Sequence, residues 1–268
     1  MEEQLLPAVL PEQRRLQIAA QVRREHRVRV DDLARRYAVS GETIRRDLQV
    51  LEERGLLRRV YGGAVIHDDR GWGAAADGHD VAHPDPTRVI AAAAGALVEP
   101  GDTLILDVGA TVGEVARSLP ATFAGRVLCA GLPAAAELAG RDGIEVHLAG
   151  GRLRPGDLAC TGGAAERFFA DYFADRAFLA ADGVHPRAGV TAARLDEIPV
   201  RQAILRQARE TYLLADSSAI GRIAVGRVCA LSGVTAVITD ADADPEVVAA
   251  LEQAGTRVVV ATSVPALD

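Results

Sequence analysis

Residues 40–63 read S-G-E-T-I-R-R-D-L-Q-V-L-E-E-R-G-L-L-R-R-V-Y-G-G. Ile44, Leu48 and Leu51 recur at helical spacing, which predicts a helix with one buried stripe. Ser40 and Thr43 stand at its start, where a hydroxyl can accept from a free backbone N–H, and Gly55 ends it. The opposite face carries Glu42, Thr43, Arg45, Arg46 and Gln49. Residues 56–65 then read as a β-hairpin with a glycine turn, bearing Arg58, Arg59, Tyr61 and Gly62.

Residues 12–25 carry Leu16, Ile18, Ala19 and Val22 at helical spacing and predict a first helix. Residues 30–37 predict a second, short one, with Asp31 and Asp32 at the end where a helix favours negative charge. Ala38-Val39-Ser40 joins it to the third. Two helices linked by such a turn make a helix-turn-helix, whose second helix enters the DNA major groove. Arginine reads guanine O6 and N7, while hydroxyls and backbone N–H groups take phosphates. The candidate DNA-binding residues are therefore Ser40, Glu42, Thr43, Arg45 and Arg46, with Arg58, Arg59, Tyr61 and Gly62 on a wing. Taken alone, Arg45 and Arg46 would read as the solvated face of a helical bundle. The ordered pattern S-x-x-T-I-R-R-D-L-x-x-L-E-x-x-G-x-x-x-R-x-x-G-G goes further and resembles the N-terminal domain of DeoR-type bacterial transcriptional regulators. That resemblance implies that Asp47 is a structural partner of a nearby arginine rather than a DNA contact.

The charge of the chain is divided in the same place. The 268 residues hold 30 basic and 37 acidic side chains, a net −7, and every basic one is arginine. Residues 1–66 contain 13 arginines and 10 acids, or +3, which leaves 17 arginines and 27 acids, or −10, for the remainder. A basic head on an acidic body suggests an anion-binding domain and a separate second domain. The three cysteines, Cys129, Cys160 and Cys229, form no CxxC pair, which argues against a disulfide framework or structural zinc and fits a reducing cytoplasm. The first eleven residues do not read as a signal peptide, and no apolar run reaches the ~20 residues of a membrane span. The expected location is cytoplasmic, with no membrane partner. Residues 67–86, HDDRGWGAAADGHDVAHPDP, read as a linker. His67, His79 and His83 there suggest a metal site only superficially, since no ligand pair sits at helical spacing. Neither a metal nor a cofactor is expected.

From residue 87 onward strands and helices alternate. Short apolar runs lie at 103–107, 127–130, 145–149, 176–180, 211–215, 236–239 and 257–261. Helical stretches include 111–119, 133–139, 197–210 and 245–254. This is the signature of a parallel-sheet α/β domain, in which ligands bind beyond the carboxyl ends of the strands. Polar residues collect at those ends. Asp107-Val108-Gly109-Ala110-Thr111 passes from a strand into a helix, where backbone N–H groups can cradle a phosphate. Gly150-Gly151-Arg152 follows the third strand and Ala181-Asp182-Gly183 the fourth. Asp196 and Glu197 open a helix, and Asp216-Ser217-Ser218 follows the fifth strand.

These loops resemble the C-terminal sensor domain of the same regulators, similar in fold to ribose-5-phosphate isomerase and CoA transferases. The resemblance implies a sensor that binds a phosphorylated sugar or related metabolite. Asp107, Gly109 and Thr111 would form the phosphate loop. Gly150, Gly151, Asp182, Gly183 and Glu197 would line the sugar, with Arg152 beside them, and Asp216, Ser217, Ser218 and Gly221 match a D-S-S-K-x-G segment. The departures are Ala219 for the lysine, Cys129-Ala130 for Thr-Asn, and Ala110 for a hydroxyl. Each removes a cation or a hydrogen-bonding group worth roughly 1.5–3 kcal/mol to a phosphate. Arg152 or Arg222 are candidates to compensate, and Arg88 and Arg201 stand where relatives often carry lysine.

The expected organisation is a winged helix-turn-helix at 1–66, a linker at 67–86, and an α/β effector-sensing and oligomerisation domain at 87–268. The expected function is a DNA-binding regulator, a repressor of a sugar-catabolism operon. Its partners are double-stranded operator DNA, a sugar-phosphate-like effector and further copies of itself, as a dimer or tetramer. Two alternatives stand beside it: a body that is only an oligomerisation scaffold, and a sugar-phosphate isomerase using Asp107, Asp182 or Glu197 as base.

Overall fold

The computed structural model describes residues 14–15, 17–19, 21–22, 27–37, 39–53, 57–60, 63–66 and 85–262. The expected linker up to residue 84, with its three histidines, lies outside the described residues, as do Leu16, Gly55, Tyr61 and Gly62. The described residues form two compact units, one up to Ile66 and one from Asp85 onward.

In the first unit, helical residues at 14–15, 17–19 and 21–22 precede helix α1, Val30–Tyr37, and helix α2, Gly41–Glu53. Ile18, Val22, Leu33, Ile44, Leu48 and Leu51 are all fully or almost fully buried and form one core. The hairpin of β2, Leu57–Val60, and β3, Gly63–Ile66, pairs antiparallel. A third strand, β1 at Arg27–Arg29, lies along the other side of β3. Strand β1 has no apolar run to mark it, being three residues long and rich in arginine. It explains Gly63, where a Cβ would lie 2.1 Å from the Val28 carbonyl oxygen.

The second unit begins with helix α3, Pro86–Gly95. Asp85 caps it by accepting from the Thr87 N–H at 3.0 Å, and Pro86 needs no such acceptor. Both residues had been expected in the linker. Each of the seven apolar runs is a strand of one parallel sheet. In chain order these are β4 (Thr103–Leu106), β5 (Gly125–Cys129), β6 (Ile144–Leu148), β9 (Ala174–Ala180), β12 (Ala208–Leu214), β14 (Ala236–Asp240) and β15 (Arg257–Ala261). Their order across the sheet is β15-β14-β12-β9-β4-β5-β6. The chain starts in the interior, winds to one edge through β5 and β6, then returns to β9 and winds to the other. The switch point lies between β4 and β9, where doubly wound sheets open a crevice for ligands.

Alternate strand residues face two cores, as a sheet covered on both sides requires. Leu104, Leu106, Phe178 and Leu214 face one, with α3 and helices α4 (Ala110–Ser118) and α5 (Leu132–Leu138). Ile105, Leu179 and Leu213 face the other, with helices α6 (Gly163–Ala170) and α7 (Ile198–Gln207). Helix α7 is shorter than the expected 197–210, because residues 208–210 pair with 174–176 and so lengthen β12. The Glu210 carboxylate, 3.2 Å from Arg176 Nε, helps fix that register.

Two features were not anticipated. A short hairpin joins β7 (Arg152–Leu153) to β8 (Cys160–Thr161). A small antiparallel sheet joins β10 (Gly183–His185), β11 (Gly189–Ala192) and β13 (Gly226–Cys229). The last helix, α8, is Pro245–Gln253. Among the described residues no helix is long and apolar enough to cross a membrane.

Candidate DNA interface and effector site

In the head, Ser40 caps α2: its Oγ accepts from the Thr43 N–H at 3.2 Å and lies 2.9 Å from the Thr43 hydroxyl. Arg45 and Arg46 are exposed, and Glu42 touches both, at 3.4 and 3.7 Å. Exposed contacts of this kind are worth at most about 1 kcal/mol and yield readily to a phosphate or a base edge. Asp47 points the other way. It is 2% exposed and accepts from Arg14 Nε at 2.6 Å and Arg15 Nε at 2.8 Å. The two arginines, which sequence reasoning passed over, tie the first helix to α2. Arg58 and Arg59 lie in β2, but their side chains are outside the described residues.

In the body, Asp107 sits just beyond β4 at the switch point. Its backbone N–H donates to the Phe178 carbonyl, and its Oδ2 accepts from the Ala180 N–H at 3.2 Å, so it clamps β4 to β9. Two residues on, Gly109 has φ +141° and opens α4 with no side-chain cap. A Cβ there would strain the backbone and lie 3.2 Å from the Ala180 methyl. A shallow recess, open to solvent, is lined by Asp107, Val108, Gly109, Gly113, Gly131, Pro133, Ala134 and Asp157.

A chain of ion pairs runs behind this recess. Arg201 donates from Nε to Asp107 at 2.8 Å and its Nη2 lies 3.0 Å from Glu197, one turn earlier in the helical register. Its Nη1 is buried without a hydrogen bond, 3.9 Å from Asp182. Glu197 also pairs with Arg154, which in turn holds Asp157, with Nε–Oδ1 at 2.9 Å, and Asp196, at 3.0 Å. Asp196 reaches the exposed Arg152 at 3.1 Å. Burial raises the Glu197 carboxyl above its ordinary value; Arg201 opposes this and Asp107 adds to it. Asp157 lies lower than usual: burial acts against ionisation, but hydrogen bonds and charge from Arg154 outweigh it. Beside Asp157, Leu158 takes a left-handed φ of +55°, a costly conformation for a branched side chain, while its carbonyl accepts from the Leu132 N–H at the start of α5.

Of the expected effector residues, Asp107, Arg152, Asp182 and Glu197 belong to this chain, and Gly109 lines the recess it backs. Thr111 lies in the first turn of α4 and Gly183 opens β10. Gly150 and Gly151 follow β6; at Gly151, with φ +109°, a Cβ would lie 2.8 Å from the Thr161 carbonyl oxygen. Asp216, Ser217 and Ser218 form a separate turn. Asp216 accepts from the Ser218 N–H at 2.9 Å, and the Ser217 N–H donates to Asp240 at 2.6 Å. Among the described residues no ion pair joins this turn to the chain behind the recess. Ala219 is 6% exposed and packs in the apolar core.

Arg154, Asp157 and Arg201 were not among the expected site residues. Their signal was present in the spacing: Glu197 and Arg201 stand at i, i+4, and Arg154 and Asp157 flank Pro155-Gly156 at i, i+3.

Comparison with known proteins agrees with this division. The DeoR-like helix-turn-helix domain matches residues 14–70, and the DeoR C terminal sensor domain matches residues 83–241. The chain is 31% identical to the HTH-type transcriptional regulator GlpR of Haloferax volcanii, over 94% of this chain and 98% of that one. It is 29% identical to the glycerol-3-phosphate regulon repressor of Escherichia coli K12, over 82% and 87% of the two chains. It is 27% identical to the HTH-type transcriptional repressor GlcR of Bacillus subtilis, over 85% and 88%. Among solved structures, ribose 5-phosphate isomerase A from Methanocaldococcus jannaschii is similar over 50% of this chain and 52% of that one, at 17% identity and a TM-score of 0.37.

Proposed function

The chain belongs to the DeoR family of transcriptional regulators, and from that premise we propose that it represses a sugar-utilisation operon until a phosphorylated sugar or related metabolite occupies the switch-point recess. The observation that carries the sensing half is the buried ionic chain from Asp107 to Asp157, which ends on the walls of that recess. Hydroxyls of a ligand would donate to Asp107 and Asp157. Its phosphate would be met by the uncapped start of α4 at Gly109 and Thr111, and by the exposed Arg152. Gly150, Gly151, Asp182, Gly183 and Glu197 would add the sugar contacts, and Asp216, Ser217 and Ser218, in their separate turn, would complete the site. The names of the glycerol-3-phosphate regulon repressor and of GlcR support repression as the sense of control.

On DNA, Arg45 and Arg46 would read base edges in the major groove. Ser40, Glu42 and Thr43 set the register, and Arg58, Arg59, Tyr61 and Gly62 follow the backbone from the wing. In this reading the chain divides into a DNA-binding head at 1–66, a linker, and a sensing and oligomerising body. The regulator acts as a symmetric oligomer, since one head offers few contacts and paired half-sites call for a two-fold. It works in the cytoplasm, without enzyme activity. The carboxylates Asp107 and Glu197 are held by Arg201 and Arg154, which suits a switch better than a proton-transferring base.

The test is operator binding by fluorescence anisotropy, with and without a panel of sugar phosphates. The reading expects at least one of them to weaken binding and raise the melting temperature of the protein. A panel that changes neither would leave the body as a scaffold, and turnover of a pentose phosphate would make it an enzyme.

A further inference from the structure

We propose that the body carries a self-complementary surface, a basic apolar loop lying beside an acidic one, whose partner is a second copy of this chain about a two-fold axis. Leu195, Ile223 and Val225 are 61, 58 and 76% exposed, an unusual concentration of aliphatic surface. Leu195 lies beside the strand start that follows Val225, and Ile223 is two residues further back on the same loop. Ala192 pairs with Gly226 in the small antiparallel sheet, and a Cβ on Gly226 would lie 2.7 Å from Leu195 Cδ2. Arg222 and Arg227 flank the patch, both exposed, and neither has an ion-pair partner among the described residues.

The acidic half is next to it. A Cβ on Gly221 would lie 3.3 Å from Val247 Cγ1 in α8. The start of that helix and the turn before it expose Asp242, Asp244 and Glu246. Asp244 caps the helix through the Glu246 N–H, while Asp242 and Glu246 have no cationic partner among the described residues. The hydrogen bond from the Ser217 N–H to Asp240 ties the two halves into one surface. Across a two-fold axis, each half meets its opposite on the copy and the aliphatic patch is buried between them. A partner of one charge sign would satisfy one half and be repelled by the other.

The surface also touches the site. Leu195 directly precedes Asp196 and Glu197, and the Asp182 carboxylate accepts from the Ala193 N–H at 2.8 Å. Ligand occupancy and self-association therefore share residues 193–197. The inference rests on the oligomeric reading given above and adds where the copies meet.

The experiment is sedimentation velocity on the full chain without DNA or effector. The proteins compared are the wild type, the double variant Arg222→Glu with Arg227→Glu, the double variant Asp242→Arg with Glu246→Arg, and an equimolar mixture of the two variants. The wild type should be dimeric or larger at micromolar concentration. Each variant alone should lose self-association by at least about tenfold, because like charges then face each other. The mixture should recover it. A monomeric wild type, a variant that associates like the wild type, or a mixture that stays monomeric would each overturn the proposal. Melting curves show whether the variants are folded, and Val225→Ser, which changes no charge, should weaken association in the same direction. Binding to a DNA fragment with a single half-site reports the head separately and should survive the loss of association.

Discussion

Asp47 in the head and Asp107 in the body are both almost completely buried, and both are held by arginine. Their surroundings differ. Asp47 is closed in by Arg14 and Arg15 from the first helical segment, and the residues beside it in sequence, Arg45 and Arg46, turn to solvent. Asp107 has one face on a solvent-open recess, and its arginine continues into Glu197, Arg154 and Asp157. The first arrangement fixes a helix whose other face is left exposed to solvent. The second brings buried charge to a surface that a small molecule can reach. A buried carboxylate–arginine pair is therefore not diagnostic in itself; what matters is whether its far side is packed or open.

The comparison is most directly broken by removing one partner from each pair. Arg201→Met leaves Asp107 buried and uncompensated and should cost the body about 3–5 kcal/mol. It should also abolish any stabilisation by ligand. Asp47→Asn should cost the head somewhat less, about 3 kcal/mol, because Arg15 keeps partial access to water. Chemical unfolding followed by probes in each unit checks both. Equal effects on ligand response would show that the distinction between the two carboxylates is false.

Next in size are the exposed arginines. Arg45→Ala and Arg46→Ala should each cost about 1–3 kcal/mol of operator affinity, measured by anisotropy, with the melting temperature unchanged. Loss of stability instead would give these residues the structural role assigned to Asp47. Ser40→Ala should be smaller, about 1 kcal/mol of head stability from the lost cap, visible in thermal unfolding.

How far the sequence revealed these two regions follows from the physics of each. The seven strands were legible because a sheet covered on both faces demands continuous apolar runs, and each run is a strand. The small sheet of β10, β11 and β13 was hidden by its short, glycine-punctuated strands, whose pairing only the tertiary fold defines. Helix α2 announced itself by period and cap. Asp47's role came through a pattern rather than through spacing, since its partners lie 33 and 32 residues away. The ionic chain is harder still: Arg201 and Asp107 are 94 residues apart, and Arg154 and Glu197 are 43 apart. Only the return of the chain to the switch point makes them neighbours. Ala219, which stands where the resemblance places a lysine, is a core residue in a turn with its own hydrogen bonds.

The finest distinction is between two acids on the same ionic chain. Asp157 has its folded value depressed, so its contribution to stability is present above its ordinary value of 3.8 and lost as pH falls through the lower folded one. Glu197 has its folded value raised, so its contribution is complete below its ordinary value of 4.5 and lost as pH rises through the higher folded one. Asp157→Asn should therefore flatten the acid limb of the body's stability curve. Glu197→Gln should flatten the limb on the alkaline side of 4.5. Unfolding free energies between acid and neutral pH check the pair. If both variants flattened the same limb, Asp157 and Glu197 would be titrating as one unit, and the recess wall would not be electrically separable from the helix behind it.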